Sequence, residues 1–399
     1  LDGDRVAVGR TLMLMQSRRL AAVQTPIIPV VSRWIADTPG TVSLGQGVVA
    51  YGPPDEAIAA LSAFPASAGD HRYGAVEGEE ALVEAIAAKL AADNGITVDD
   101  RMRVVVTAGG NLAFMNAVLA IADPGDEVIL PAPYYFNHEM AIDMAGARVV
   151  PVPTLPTRQL DLNAIAEAIT PRTRAIVTVS PNNPTGAVYP ESTLRAVNRL
   201  CADRGIFHIH DEVYEYFLYD EARHFSPASL PDASRHTISL YSLSKAYGLA
   251  SWRMGYMLIP VSLWEAVNKI QDTLLVCPPV VSQRVALAAL RVGRDYCAGF
   301  LAELGEMRRL MGDALSAPDV PCEVPPALGA FYYFITVHSR LSAMTLTERL
   351  IREHRVAVIP GTAFGIHDGC TLRVSYGALD RATAAEGVGR LVEGLKALT

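Results

Sequence analysis

Cysteine is scarce in this 399-residue chain. Cys201, Cys277, Cys297, Cys322 and Cys370 are scattered, odd in number and never spaced as CxxC. That excludes a disulfide-stapled scaffold and points to a reducing compartment, with thiols used as small core residues. Lysine and arginine form no run and the net charge is −8, so no basic face for duplex nucleic acid is expected. Acidic stretches never exceed two residues, which argues against a disordered acidic tail. No apolar run is long enough to cross a bilayer, and a beginning that mixes Asp2, Asp4, Arg5 and Arg10 with apolar residues is no signal peptide. A cytoplasmic protein with no nucleic-acid or membrane partner is the expectation. Internal repeats and low-complexity tracts are also missing.

What is present is a chain half made of hydrophobic residues, ample for one large domain and a smaller one. Short β-branched runs at 104–107, 127–130, 148–152, 174–179, 207–210, 237–241 and 256–259 read as seven strands. Helical patterns at 112–122, 162–169 and 191–204 lie between several of them. Such alternation predicts an α/β domain with a mostly parallel sheet between helices, and ligands at the carboxyl ends of the strands. After Gln283 the pattern turns helical at 285–290 and 298–315, with strands at 330–336 and 371–375 and a last helix at 382–398. This reads as a smaller α+β domain. The predicted division is 48–285 for the large domain, with 1–47 and 286–399 forming the small one.

The most informative segment runs from Tyr241 through Ser242, Ser244, Lys245 and Arg253 to Tyr256. Lys245 follows a buried strand and is framed by small and hydroxyl residues. Burial near other cations lowers a lysine pKa, and the neutral amine can condense with an aldehyde. Ser242, Ser244 and the Arg253 guanidinium suit a phosphate dianion, because the planar fork binds oxygens in pairs. A surface lysine on a loop is the bland alternative.

This stretch resembles the signature of the class I and II aminotransferases, fold type I of the pyridoxal-phosphate enzymes. The likeness extends over about residues 25 to 395. It implies that pyridoxal 5'-phosphate is the cofactor and that Lys245 is its Schiff-base lysine and later the proton shuttle. Asp211, at the end of strand 207–210, would keep the pyridine nitrogen protonated so that the ring can take up electrons. Tyr214 and the Asn183 of Asn183-Pro184-Thr185-Gly186 would share the cofactor's phenolic oxygen. Alone, these motifs also describe a capped helix and an ordinary turn. Gly109, Gly110 and Asn111 open a helix after strand 104–107, where backbone N–H groups form an anion site. Relatives often carry a hydroxyl or lysine at the Asn111 position. Tyr135 matches the ring that stacks on the cofactor, with Tyr134 as its near alternative. Tyr73 matches a tyrosine that reaches the phosphate of a neighbouring subunit, which implies a homodimer with shared active sites.

Arg373 offers the bidentate partner that a substrate α-carboxylate needs, and Asn183 and the Gly47 backbone would complete that grip. A plain strand arginine is the other reading. His208 and His210 alternate on one strand without a third ligand at useful spacing, so no metal is expected. The implied reaction is ping-pong transamination of an L-amino acid with a 2-oxo acid. No distal arginine is evident in 271–283, which disfavours aspartate. Leu44-Gly45-Gln46-Gly47, the Pro133–Asn137 run and 269–272 resemble relatives acting on aromatic amino acids and methionine. Tyr51, Phe136 and Trp34 are candidates for an apolar pocket. β-Elimination, decarboxylation or oxidation on the same scaffold, or a non-catalytic binding protein that keeps the fold, are the competing readings.

Overall fold

The computed structural model describes residues 17–64 and 68–399. The N-terminal charges at Asp2, Asp4, Arg5 and Arg10 lie outside the described residues. Thirteen strands form: β1 (Val42–Ser43), β2 (Met102–Thr107), β3 (Glu127–Ala132), β4 (Arg148–Pro153), β5 (Thr173–Val179), β6 (Phe207–Asp211), β7 (Thr237–Ser242), β8 (Gly255–Pro260), β9 (Cys322–Glu323), β10 (Tyr332–Val337), β11 (Val356–Ala357), β12 (Ile359–Pro360) and β13 (Cys370–Ser375).

The seven runs read from the sequence are β2 to β8, and they make one sheet in the order β2-β8-β7-β6-β5-β3-β4. All neighbours are parallel except β8, which is antiparallel to both β2 and β7. Central strands are buried along nearly their whole length, so β3 and β8 carry continuous apolar runs, while β6 alternates Phe207 and Ile209 with the buried His208 and His210. On one face Gly110–Ile121 and Trp264–Leu274 bury Phe114, Val118 and Val267 against Val105, Ile209 and Met257. On the other, Leu162–Glu167 and Glu191–Arg204 cover Ile129 and Ile176 with Ile165, Leu194 and Val197. Each such fully buried aliphatic side chain contributes about 1.5–3 kcal/mol of transfer free energy.

A four-stranded antiparallel sheet, β12-β13-β10-β9, belongs to the C-terminal part of the chain. The helices Ala343–His354 and Arg381–Leu398 pack beside it. β1 pairs in parallel with β11, so the N-terminal segment is tied to C-terminal residues. No described helix is long and apolar enough to cross a membrane.

Two boundary differences bear on function. β6 extends one residue beyond the sequence reading, so Asp211 is the last strand residue. The helix read from 162 stops at Glu167. Because β8 alone is reversed, its start lies at the same sheet edge as the carboxyl ends of β2, β3, β5, β6 and β7. Every motif singled out around a strand end therefore meets at one edge.

Candidate active site

A cavity of about 520 Å³ opens at that edge. Its lining includes Gly47, Gly110, Asn111, Tyr135, Asn183, Asp211, Tyr214, Ser242, Ser244, Lys245, Arg253 and Arg373, residues from seven separate stretches of the sequence.

The short helix Leu243–Ala246 follows β7 directly, with the Ser242 side chain capping it by accepting from the Ser244 N–H at 3.2 Å. This turn delivers Lys245 into the cavity, where its ammonium group donates to the Gly47 carbonyl. The chain has four lysines: Lys89, Lys245, Lys269 and Lys396. Three are paired, with Glu215, Glu265 and Asp319. Lys245 alone has no carboxylate partner among the described residues. Burial, and then the charges of Arg373 and Arg253, bring its pKa down from 10.5 to about 8.

Asp211 reaches the cavity from the end of β6. His138 Nε2 lies 3.2 Å from Asp211 Oδ2, and the His138 ring stacks on Phe114 at 3.9 Å. The Val213 N–H donates to the other carboxylate oxygen at 3.1 Å. The sequence reading missed His138; its signal was a position three residues after Tyr135, on the same face of the helix Phe136–Ala145.

Arg373, on β13, is buried beneath the rings of Tyr332 and Phe364, with the guanidinium 4.7 and 5.0 Å from the two centroids. It donates to Asn183 Oδ1 at 3.0 Å and to the Gly45 carbonyl at 2.7 Å. The Gly45 carbonyl thus serves Arg373 and the Gly47 carbonyl takes Lys245, with Gly47 lining the cavity beside them. Arg373 Nε has no protein partner. A buried guanidinium with no carboxylate among its partners is a receptor for an anion.

Tyr214 and Tyr332 share a hydrogen bond at 2.7 Å. Burial raises both phenols, Tyr332 to about 12. Tyr332, also missed by the sequence reading, explains Gly47: a Cβ there would stand 2.7 Å from the Tyr332 hydroxyl. Tyr135 lines the cavity, whereas Tyr134 is buried against Glu139, to which its hydroxyl donates at 2.9 Å. Asn137 donates to the Tyr135 hydroxyl at 2.7 Å, and that hydroxyl donates to Asn111 Oδ1 at 3.4 Å.

Arg253 holds φ +54°, a left-handed conformation costly for a side-chain-bearing residue and typical of functional positions. Gly109, at φ +82°, leaves the space in which that guanidinium lies; a Cβ would collide with it. Gly110 begins a twelve-residue helix beside Ser242. Cation, hydroxyls and helix N-terminus together form a phosphate cradle. With Asp211 for a pyridine nitrogen and an uncharged lysine for an aldehyde, the residues fit pyridoxal phosphate.

Several expected residues lie elsewhere. Tyr73 is 84% exposed and outside the cavity of its own chain. Phe136 lines the cavity, but Tyr51 and Trp34 do not. Tyr51 stacks on Phe300 at 3.8 Å and donates to the Lys245 carbonyl, and Trp34 packs with the cluster around Phe364. His208 and His210 are buried and share Thr178 as hydrogen-bond partner. Among the described residues, Glu212, Glu215 and His224 bring one ligand atom each within 4.8 Å. Lys89 already sits on Glu215, and Tyr241 and Ser226 donate to Glu212, so the carboxylates of this cluster are engaged within the protein.

Comparison with known proteins agrees with this chemistry. Residues 39–391 match the family "Aminotransferase class I and II". The chain is 32% identical to an aromatic aminotransferase of Arabidopsis thaliana over 96% of its own length and 97% of the relative's. It is 35% identical to an arginine–pyruvate transaminase of Pseudomonas aeruginosa over 75% and 76% of the two lengths. Among solved structures it superposes on a single mutant of Thermus thermophilus aspartate aminotransferase with a TM-score of 0.88 and 31% identity, covering 96% of this chain and all of that one. The chain belongs to the class I and II aminotransferases, and it is a pyridoxal-phosphate-dependent enzyme of fold type I.

Proposed function

We propose that this aminotransferase draws its amino group from an amino acid with an uncharged side chain, aromatic residues and methionine foremost, and that Lys245 is its central reactive group. The observation that carries the role of Lys245 is its isolation: a buried lysine with no acid partner among the described residues, beside two arginines.

Bound pyridoxal phosphate supplies an aldehyde that takes up the amino group and a ring that takes up the electrons of a bond to the α-carbon. Arg373, steadied by Asn183 and the Gly45 carbonyl, grips the substrate carboxylate and so fixes where the α-hydrogen points. The Lys245 amine would accept that proton and hold it for return to the cofactor's carbon. Asp211, oriented by His138, pairs with the pyridine nitrogen. Asn183 and Tyr214 would serve the phenolic oxygen, and Tyr135, on the cavity wall, would hold the ring. Gly109, Gly110, Asn111, Ser242, Ser244 and Arg253 hold the phosphate. Tyr73, exposed in its own chain, completes the phosphate site of a second copy in a homodimer.

Charge supports the donor class. The cavity's cations are Lys245, Arg253 and Arg373, and each has a task at the cofactor or the α-carboxylate. Asn111, Tyr135 and Asn137 are neutral polar groups, and Ile28 and Phe136 add apolar surface. A second carboxylate on the donor would enter without a counter-charge from the described residues of this chain. A panel of amino donors with pyruvate and 2-oxoglutarate tests this: phenylalanine, tyrosine or methionine should exceed aspartate in kcat/KM by tenfold or more, and aspartate in first place would end the donor assignment. Ammonia in place of a new amino acid would overturn transamination itself.

A further inference from the structure

On the sheet face opposite the cavity, directly behind Asp211, runs a buried polar seam that the proposed chemistry does not use. Asn198, on the helix Glu191–Arg204, accepts from His236 Nε2 at 3.1 Å through its side-chain oxygen. Its amide nitrogen donates to His208 Nδ1 at 3.1 Å and to Thr237 Oγ1 at 2.7 Å. His208 must therefore carry its proton on Nε2, which lies 2.8 Å from Thr178 Oγ1. The Thr178 hydroxyl, having accepted there, donates to His210 Nδ1 at 2.6 Å. The direction of the chain leaves His210 with a proton on Nε2. That atom is fully buried and has no protein partner.

Two further buried polar atoms beside it are also without protein partners: Ser239 Oγ and His224 Nδ1. Ser239 faces His210 directly across the β6–β7 ladder, so the two side chains share one face as neighbours. The His224 ring lies nearly parallel to that of His210, at 19°, with centroids 6.3 Å apart. His224 reaches the seam from the opposite side, with Nε2 2.7 Å from Glu212 Oε2.

We propose that these three atoms bind one ordered water, which is part of the folded protein. Water is the ligand that matches the donor set. It accepts the proton of His210 Nε2, donates to His224 Nδ1, whose ring turns Nε2 to Glu212, and either gives or takes with the Ser239 hydroxyl. Groups so deeply buried are met by a protein group or by water in nearly all folded proteins, and a water bridging three of them is costly to remove. His224 also lines a second groove with Glu215, Arg223 and Arg294, which brings the surface close to one end of the seam. The bridge joins the His236–Asn198–His208–Thr178–His210 chain to the Glu212 network, so both residues flanking Asp211 become members of one hydrogen-bonded seam.

A crystal structure of the holoenzyme, at a resolution that shows ordered water, tests the site. A peak within hydrogen-bond distance of His210 Nε2, Ser239 Oγ and His224 Nδ1 is expected in every copy. Direct bonds among the three side chains, or no density between them, would overturn the proposal. Two substitutions separate the site from general packing. Ser239→Ala removes one partner and leaves the room, so the water should remain. Ser239→Val fills the room, so the water should go and the melting temperature should fall further than with Ser239→Ala. A peak retained unchanged in Ser239→Val also overturns it. If Ser239→Val does not fold, the wild-type and Ser239→Ala structures still decide.

Discussion

The fall of the Lys245 pKa from 10.5 to about 8 has a kinetic consequence that can be measured on the enzyme stripped of its cofactor. Only the neutral amine attacks an aldehyde. At pH 7 an amine of pKa about 8 is neutral in roughly one molecule in ten, against roughly one in 3,000 for an ordinary lysine, an advantage of about 300-fold. The same fall corresponds to about 3 kcal/mol against the ammonium form in the native protein. Burial is the largest cause, Arg373 the second and Arg253 the third. The perturbation of choice is Arg373→Met, which removes a positive charge while keeping an apolar stem beneath Tyr332 and Phe364. The lysine pKa should then rise, though short of 10.5 because burial persists. Arg373→Lys keeps the charge and should keep the midpoint close to that of the native protein. The assay mixes cofactor-free enzyme with pyridoxal phosphate from pH 6 to 10 and follows the near-visible absorbance of covalent capture. A rate that climbs through a midpoint near 8 is expected, moving to higher pH in Arg373→Met. A wild-type midpoint above 10, or a downward move in Arg373→Met, would refute the electrostatic reasoning.

Two further outcomes follow from the same geometry. In turnover, Arg373→Lys keeps the charge but loses the planar fork that bonds Asn183 and the Gly45 carbonyl. A loss of roughly 100-fold in kcat/KM for the amino donor, about 2–3 kcal/mol, is expected with cofactor absorbance retained; equal loss of the cofactor would show that Arg373 serves the fold instead. Acid should weaken the native state through the buried seam. Burial holds His210 neutral down to about pH 4, whereas the unfolded chain protonates it near 6.5. Between those values the unfolded state binds more protons, so stability falls as pH drops, by about 3 kcal/mol from this residue at the lower limit. Burial raises the Glu212 carboxyl, but hydrogen bonds from His224 and Ser226 outweigh it and hold the group down to about 2, which adds a loss in the same direction below its unfolded pKa near 4.3. Urea unfolding of wild type and His210→Gln at pH 6.5 and 4.5 checks this. The variant should show a smaller drop between the two pH values, and identical drops would contradict the assignment.

Much of this was legible in the sequence, for identifiable reasons. The seven strands could be read because both faces of the sheet are covered, which leaves runs such as Val104–Val106 and Val128–Leu130 as unbroken apolar text. Lys245, Asp211, Asn183 and Arg253 could be read because each stands just beyond a strand end, or just before the reversed β8, with its motif contiguous in the chain. Groups that act through a partner from another element were hidden. Tyr332 meets Tyr214 only because β10 pairs with β13, where Tyr332 faces Ser375 and Phe334 faces Arg373. His138 meets Asp211 across two β/α units. Tyr51 follows Gly47 closely in the chain, yet its ring turns to Phe300. Aromatic residues near a motif report proximity in sequence, and only the packing decides which way they point.

Borohydride reduction of the purified holoenzyme, followed by peptide mass spectrometry, addresses the covalent attachment itself. A single reduced phosphopyridoxyl group on the peptide that contains Lys245 is expected, with Lys89, Lys269 and Lys396 unmodified. A label on any of those three, or full transaminase turnover by Lys245→Ala, would contradict the assignment of Lys245.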